Sequence, residues 1–316
     1  MAGFSSNQKL IKSRNIITLD VLKKQKQLIF MSAPLLVYII IFAYAPMWGW
    51  IMSFQDYKPA KSFFDQQWVG FKHFEFLFTD PVFFNVLRNT ICMSIINLVF
   101  SFVSAIGLAL LLNEIKNIFF KRTVQIISYL PHFLSWIIVT GIVANVLSTQ
   151  GIINEVLMKM GLLTEPVTWL SEEKYFWGIV GVSHVWKEVG WNTIIYLAAM
   201  SAIDPCLYEA ANIDGANRYQ KMWHITLPGI KSTFIILLIM NIGWLMNAGF
   251  EIQYLLGNGL VIDYSQTIDI FVLKYGIGMG RFSFATAAGV FKSVVSITLL
   301  LLANAVAKRV GEERII

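Results

Sequence analysis

The chain has 316 residues, of which 56% are hydrophobic and 14% charged, with a net charge of +6. A soluble domain carries about 25% charged residues, so this composition excludes one; the apolar residues fall in blocks about as long as a bilayer is thick, which points to an all-α polytopic membrane protein. A transmembrane barrel, with its short alternating segments, is excluded as well.

In chain order, residues 1–27 are polar and basic and read as a cytoplasmic N-terminal segment. Six apolar blocks follow at about 28–52, 86–113, 123–147, 175–200, 231–250 and 283–307, making 28–307 the membrane domain and 308–316 a cytoplasmic tail. These blocks must cross as helices, because lipid offers no partner to a free backbone N–H or C=O. The first block is long enough to span and stay, so no cleavable signal is expected. Asp80-Pro81 precedes the second span, Lys121-Arg122 opens the third and Lys308-Arg309 closes the sixth. Cys92 falls in a span and Cys206 in an inner loop, so no disulfide is expected between them.

Orientation follows from the basic residues. With the N-terminus inside, the inner segments hold fifteen Lys and Arg and the outer loops seven, while Arg88, Lys187 and Lys292 fall within spans. This bias places both termini in the cytoplasm. The net charge is thus a topology signal and not a nucleic-acid signature, since no aromatic–basic module accompanies it. Among the outer loops, 53–84 is rich in Phe, Trp and Tyr. It reads either as an interfacial belt with a short amphipathic helix or as a contact surface for an external protein. Residues 151–163 suggest another short amphipathic helix, and 251–282, rich in Gly, an irregular loop near the entrance.

Charged groups at membrane depth cost about 2.5–3.5 kcal/mol each and usually face the bundle interior. Lys187 and Glu188 sit near the middle of the fourth span. Adjacent helical residues diverge by about 100°, so they need not pair with each other. His184, Glu188 and Trp191 share a stripe, in which a ring beside hydrogen-bonding groups suits a sugar. The same residues also suit plain helix–helix bonding. Asn241, Trp244 and Asn247 make a second polar–aromatic stripe, extended by Glu251 at its outer end. Lys292 calls for an interior partner, Arg88 is placed to snorkel outward, and Pro131-His132 marks a kink in the third span. The four histidines are scattered, without metal-ligand spacing.

Residues 201–230 form a polar loop between the fourth and fifth spans. Asp204-Pro205 is a helix start, Asp214-Gly215 a sharp turn, and Tyr219, Met222 and Trp223 share one face of a second short helix. Pro228 is expected to end that helix. On residue type alone, the loop suits a knob on the inner side or an amphipathic helix resting on the leaflet. Its spacing, Glu209-Ala210-Ala211, Gly215, Ile225, Leu227, Pro228, reads E-A-A-x3-G-x9-I-x-L-P.

That spacing resembles the coupling segment of the permease subunits of binding-protein-dependent ABC importers. Residues 32–59, 68–78, 88–101, 120–136 and 186–204 resemble the maltose-permease-like carbohydrate group, and within it the subset handling complex oligosaccharides or polysaccharide fragments. The resemblance implies a subunit of the bacterial cytoplasmic (inner) membrane forming half of a translocation pathway. It implies four kinds of partner: a second homologous permease, two ATPase subunits, an extracytoplasmic solute-binding protein and the saccharide. It assigns ATPase coupling to Glu209, Ala210, Ala211, Asp214, Gly215, Tyr219, Met222, Trp223 and Pro228. The pathway candidates are His184, Lys187, Glu188, Trp191, Asn241, Trp244, Asn247, Glu251 and Lys292. No cofactor is expected in this chain, ATP and Mg being bound by the ATPases; the chain has no G-x-x-x-x-G-K-[ST], H-E-x-x-H, G-x-S-x-G or C-x-x-C. An ion-driven carrier without an ATPase, and an intramembrane enzyme built on His184, Lys187 or Glu188, are the rival readings; neither explains the spacing over 209–228. An acidic saccharide would call for basic groups along its path, for which Lys187, Lys292 and Arg281 are available.

Overall fold

The computed structural model describes residues 25–309, so most of the expected 1–27 segment and of the 308–316 tail lies outside the described residues. The chain divides into two units, one ending at Ile51 and one beginning at Met52. The described part of the first is a helix, α1 (Lys26–Ile39), drawn on through a π turn (Ile40–Tyr44) into a 3₁₀ stretch (Ala45–Phe54). None of the residues of α1 is buried within the chain.

The second unit begins with a two-residue antiparallel pair, β1 (Gln55–Asp56) and β2 (Gln67–Trp68), followed by α2 (Lys72–Thr79). The long α3 (Pro81–Glu114) starts where Asp80 accepts from Val82 N at 2.9 Å and Pro81 takes the first turn. Next come α4 (Ile118–Tyr129), a 3₁₀ turn (Leu130–Phe133), α5 (Trp136–Val146) and the short α6 (Ile152–Lys159). A second long helix, α7 (Glu173–Ser201), packs along α3. The polar loop supplies α8 (Pro205–Ile213), α9 (Arg218–Lys221), a π turn (Met222–Thr226) and α10 (Leu227–Gly229). The remainder is α11 (Lys231–Gly243), α12 (Phe250–Leu256), α13 (Ile262–Ser265), α14 (Ile268–Val272) with a π turn after it, and α15 (Phe282–Arg309). By length and composition, three helices among the described residues qualify as membrane crossings on their own, and three bent pairs bring the number to as many as six.

Three buried clusters hold this unit together. One gathers Phe83, Val86, Met246, Ile268, Phe271 and Phe284 between α3, α14 and α15. Another joins Met93, Phe176, Val180, Ile252 and Val261. A third sets Ala105 and Ala109 of α3 against Tyr196 and Met200 of α7 and Ile230. Close approach depends on glycine where helices touch: a Cβ on Gly190 of α7 would lie 2.1 Å from the Ser128 carbonyl oxygen of α4.

Several expectations differ from the structure. The third apolar block is not one helix: its two parts meet at 105°, well beyond a kink. Pro131 tightens the end of α4 into a 3₁₀ turn, Leu134 leaves it extended, and Ser135 then caps a new helix by accepting from Ile138 N. The fifth block ends as a helix at Gly243, so Asn247 and Glu251 do not continue the face of Asn241 and Trp244; Gly249, at φ 85°, turns the chain into α12. The segment 251–282 is not irregular but a chain of short helices anchored by buried Ile268 and Phe271.

Arg88 does not snorkel. Its guanidinium donates to the Asp263 carbonyl at 2.7 Å and lies over the Tyr264 ring at 4.9 Å. Fully buried Asn89 donates to the carbonyls of Asp263 and Gln266, and Thr90 Oγ1 accepts from Ile268 N at 3.0 Å. Three consecutive residues of α3 thus take up the backbone groups that α13 and α14 leave open. The partner that Lys292 requires is Asp269 of α14, at 2.5 Å. Replacing Asn89 by Ala strands the Gln266 carbonyl and leaves the Asp263 carbonyl to Arg88 alone, which should cost about 1–3 kcal/mol. A clear drop in the thermal transition of the detergent-purified protein is the expected outcome; an unchanged transition contradicts it.

Candidate functional site

Two constellations stand out, one in the polar loop and one where α7 meets the broken helix. The loop is built by local rules. Asp204 caps α8 by accepting from Cys206 N at 2.9 Å, with Pro205 in the first turn. The helix ends at Asp214, and Gly215 then adopts φ 75°, a left-handed angle that side chains disfavour. Gly215 N donates to the Asn212 carbonyl and Ala216 N to the Ala211 carbonyl at 2.9 Å, which closes a Schellman motif. Directly afterwards Asn217 and Gln220 form a reciprocal capping box that starts α9. Tyr208 Oη meets Thr226 Oγ1 at 2.9 Å, and Lys221 Nζ donates to Asn212 Oδ1, so the two arms of the loop are tied together.

Pro228 does not end the second arm. It lies in the first turn of α10, behind a π turn, and the helical path runs to Gly229 before a single-residue break at Ile230. A proline's missing N–H and ring are tolerated at the start of a helical turn. Ile230 is itself buried in the core, and a Cβ on Gly229 would lie 2.6 Å from Ile203 Cδ1. The loop is therefore held against the ends of α7 and α11. Its outer surface is free: Glu209, Ala210 and Asp214 are exposed, Ala211 is half-buried, and Glu209 has no ion pair among the described residues. Tyr219 and Trp223 are 66% and 64% exposed, while Met222 between them is half-buried. Leu207 and Ile213 of α8 are exposed too, the latter at 88%. Neither belonged to the expected set, since six apart on a helix they share no face and make no stripe.

The second constellation centres on His132, in the 3₁₀ turn. The Lys187 ammonium, 5% exposed as a residue, donates to the His132 carbonyl at 2.7 Å and lies 3.2 Å from Glu188 Oε1. Glu188 Oε2 meets His132 Nδ1 at 2.7 Å. Helical divergence did not require Lys187 and Glu188 to pair, but they do, the ammonium bridging the Glu188 carboxylate and the turn's carbonyl. The His132 ring stacks on Trp191 at 4.5 Å with 4° between planes, and Trp136 lies parallel to His184 at 6.0 Å. His184 Nδ1 is buried with no partner.

Glu188 and His184 also border a cavity of about 250 Å³ between α3, α7 and α11, together with Asn241. Ser101, Asn192 and Tyr196 add three more polar groups that sequence reasoning did not select. Asn192 and Tyr196 follow Glu188 at successive steps of four, so their shared face was legible; Ser101 comes from another helix and carried no signal. Lys187 and Trp191 stand one contact behind this wall, whereas Trp244, Asn247, Glu251 and Lys292 are not part of it. The arrangement can bind a polyhydroxy compound by hydrogen bonds at an aromatic edge. It shows no nucleophile–base pair aimed at a common point.

Residues 101–312 match the family described as the binding-protein-dependent transport system inner membrane component. The chain is 45% identical to the polygalacturonan/rhamnogalacturonan transport system permease protein YteP of Bacillus subtilis (strain 168), covering 92% of this chain and 91% of that one. It is 42% identical to protein LplB of the same organism, covering 96% and 95%. Among solved structures it is similar to a bacterial alginate ABC transporter in complex with an alginate pentasaccharide-bound periplasmic protein. There the TM-score is 0.87 and the identity 35%, over 94% of this chain and 99% of the other. On these similarities the chain belongs to the inner membrane components of binding-protein-dependent transport systems, as a non-catalytic transport permease subunit.

Proposed function

We propose that this chain forms half of the pathway of an ABC importer for an oligosaccharide or polysaccharide fragment, and that its 204–230 knob is the element driven by separate ATPase subunits. The observation that carries the reading is the knob itself. The segment bearing the E-A-A-x3-G spacing is closed by a Schellman motif and a capping box, cross-tied at Tyr208–Thr226, and left exposed on its apolar side. A packed helical body of this kind moves as a unit, which is what force transmission requires. Ala210 and Ala211 keep α8 narrow enough to enter a groove, and Glu209 is free to meet a basic group there.

The remaining parts of the assembly follow from this reading. The knob faces the cytoplasm, as do both termini, in the bacterial cytoplasmic membrane. A second permease of the same kind completes the pathway, two ATPase subunits bind ATP and Mg, and an extracytoplasmic solute-binding protein delivers the saccharide. The names of the relatives support a saccharide, and one structural neighbour imports what its description calls an acidic polysaccharide. Within this chain the cavity of His184, Glu188, Asn192, Tyr196 and Asn241 is the proposed contact with sugar hydroxyls. Lys187 and Lys292 are already neutralised by Glu188 and Asp269, so they are poor candidates for binding a substrate's carboxylates.

Two outcomes test this. In the reconstituted importer, Gly215→Val forces a branched side chain into a left-handed angle and should cut stimulation of ATPase activity by loaded binding protein about tenfold or more, the equivalent of 1.4 kcal/mol. Gly215→Asn, which tolerates that angle, should largely restore it. Equal stimulation in all three proteins would sink the coupling role. Separately, Asn192→Ala should raise the substrate concentration for half-maximal uptake several-fold, as expected from losing about 1 kcal/mol of hydrogen bonding, while ATPase stimulation stays intact. An unaltered uptake curve would remove the cavity from the pathway.

A further inference from the structure

A second, larger cleft shares no lining residue with the knob or with the cavity at Glu188. It holds about 640 Å³ between the β1–β2 loop, α2 and the start of α15. We propose that this cleft takes a carboxylate side chain of the extracytoplasmic solute-binding protein, with Lys72 and Arg281 as its anchors; the inference rests on the reading above that such a protein delivers the substrate.

The charge arithmetic points this way. Of the cations lining the cleft, Lys58 is 3.5 Å from Asp56 and so already has a counter-ion. Asp80, at the edge, caps α3 and keeps its charge, so the lining holds three Lys and Arg against two carboxylates. Lys72 has only the Phe76 ring, 5.7 Å from its ammonium, and Arg281 makes no ion pair among the described residues. Two cations that make no ion pair among the described residues thus share one concave site whose Lys, Arg, Asp and Glu lining is net positive by one. Its other walls are the rings of Tyr57, Phe76 and Phe282, with Tyr57 and Phe282 edge-to-face at 6.1 Å. An arginine set among aromatic rings is the composition of an interface anchor point.

The cleft is also built in advance. The Gln66 side chain accepts from Lys58 N at 2.8 Å and donates to the carbonyls of Lys58, Lys61 and Ser62, pinning the loop that forms one wall. Tyr57 N donates to Ser283 Oγ at 2.9 Å, which fixes that loop to α15, and His73 Nε2 lies 3.1 Å from the Gln55 carbonyl, which fixes it to α2. A pocket that needs no ordering on occupation gains affinity for that reason. Exposed Phe64, Trp68 and Phe71 on the same segment offer more apolar area than one sugar ring covers, which favours a protein over a free saccharide.

The charge bias that puts the knob inside puts this cleft outside. A docking partner there meets two cations, and a carboxylate between them would form charge-assisted hydrogen bonds.

The test uses the complete importer in lipid nanodiscs with its own binding protein. Affinity is read by a surface-binding assay at several salt concentrations for wild type, Lys72→Gln, Arg281→Gln and the double variant. Each single change should weaken docking roughly tenfold, as loss of one charge-assisted bond implies, and flatten the salt dependence; basal ATPase activity should not change. Docking of equal strength in all four proteins overturns the proposal. So does a result in which trigalacturonate, without binding protein, binds wild type but not the double variant while docking is unaffected, since the cleft would then be a sugar site. If no binding protein stimulates even the wild-type ATPase, the importer reading fails instead, which keeps the two failures distinct.

Discussion

A helix inside a bilayer cannot be broken unless the carbonyls it releases find donors, because lipid supplies none. That constraint is met by side chains at two of the breaks in this chain. Where α4 gives way at Pro131, the Lys187 ammonium takes the freed His132 carbonyl. A cation at the C-terminal end of a helix is also favoured by the helix dipole. Glu188 then completes the group by neutralising Lys187 and holding His132. Where the chain descends through α13 and α14, Arg88 and Asn89 close the carbonyls of Asp263 and Gln266. The charged residues at membrane depth are therefore mostly explained by backbone that needs them.

This changes how the polar residues of the spans divide. Lys187, Lys292 and Arg88 are held by partners within the chain and maintain its shape. His184, Asn192 and Asn241 retain polar surface toward a cavity. His184 carries the sharper signal of the two kinds, since a buried ring nitrogen without a partner is costly unless water or a ligand meets it. Glu188 belongs to both groups: it balances Lys187 on one side and borders the cavity on the other. Removing its charge would disturb packing as well as binding, which is why Asn192 is the cleaner probe of the cavity.

How much of this was legible depended on range. The knob was readable because its devices are local: a cap at Asp204, a glycine forced left-handed at Gly215, a box from Asn217 to Gln220. The long helices α3 and α7 were readable from unbroken apolar runs. The helical character of 251–282 was not, because its glycines argue for loop while the burial of Ile268 and Phe271 against Phe83 decides the outcome from far along the chain. The pairing of Lys187 with Glu188 was hidden for a similar reason. It runs through a carbonyl 55 residues away, and no rule of helix faces contains that carbonyl. The size of the bend after Pro131 was hidden too, since it required Ser135 to start a second helix.

The break and the knob are joined by one rigid member. Helix α7 is 29 residues long, about 43 Å at the usual rise. At one end it leads within three residues to α8, at 70°. Along its middle it is fastened to α4 by the Gly190–Ser128 approach and by Lys187 on the His132 carbonyl. On the proposed reading, a displacement of the knob would be borne first by α7, with α4 fastened to it. The extended Leu134-Ser135 link lies beyond that fastening, so α5 is not compelled to move with them. One wall of the cavity belongs to α7 and the opposite wall to α3 and α11. On the same reading, a push on the knob would shift Glu188, Asn192 and Tyr196 against Ser101 and Asn241, the kind of change in cavity shape that alternating access requires. The broken third span is, on this view, what lets half of the bundle respond while the other half stays in place.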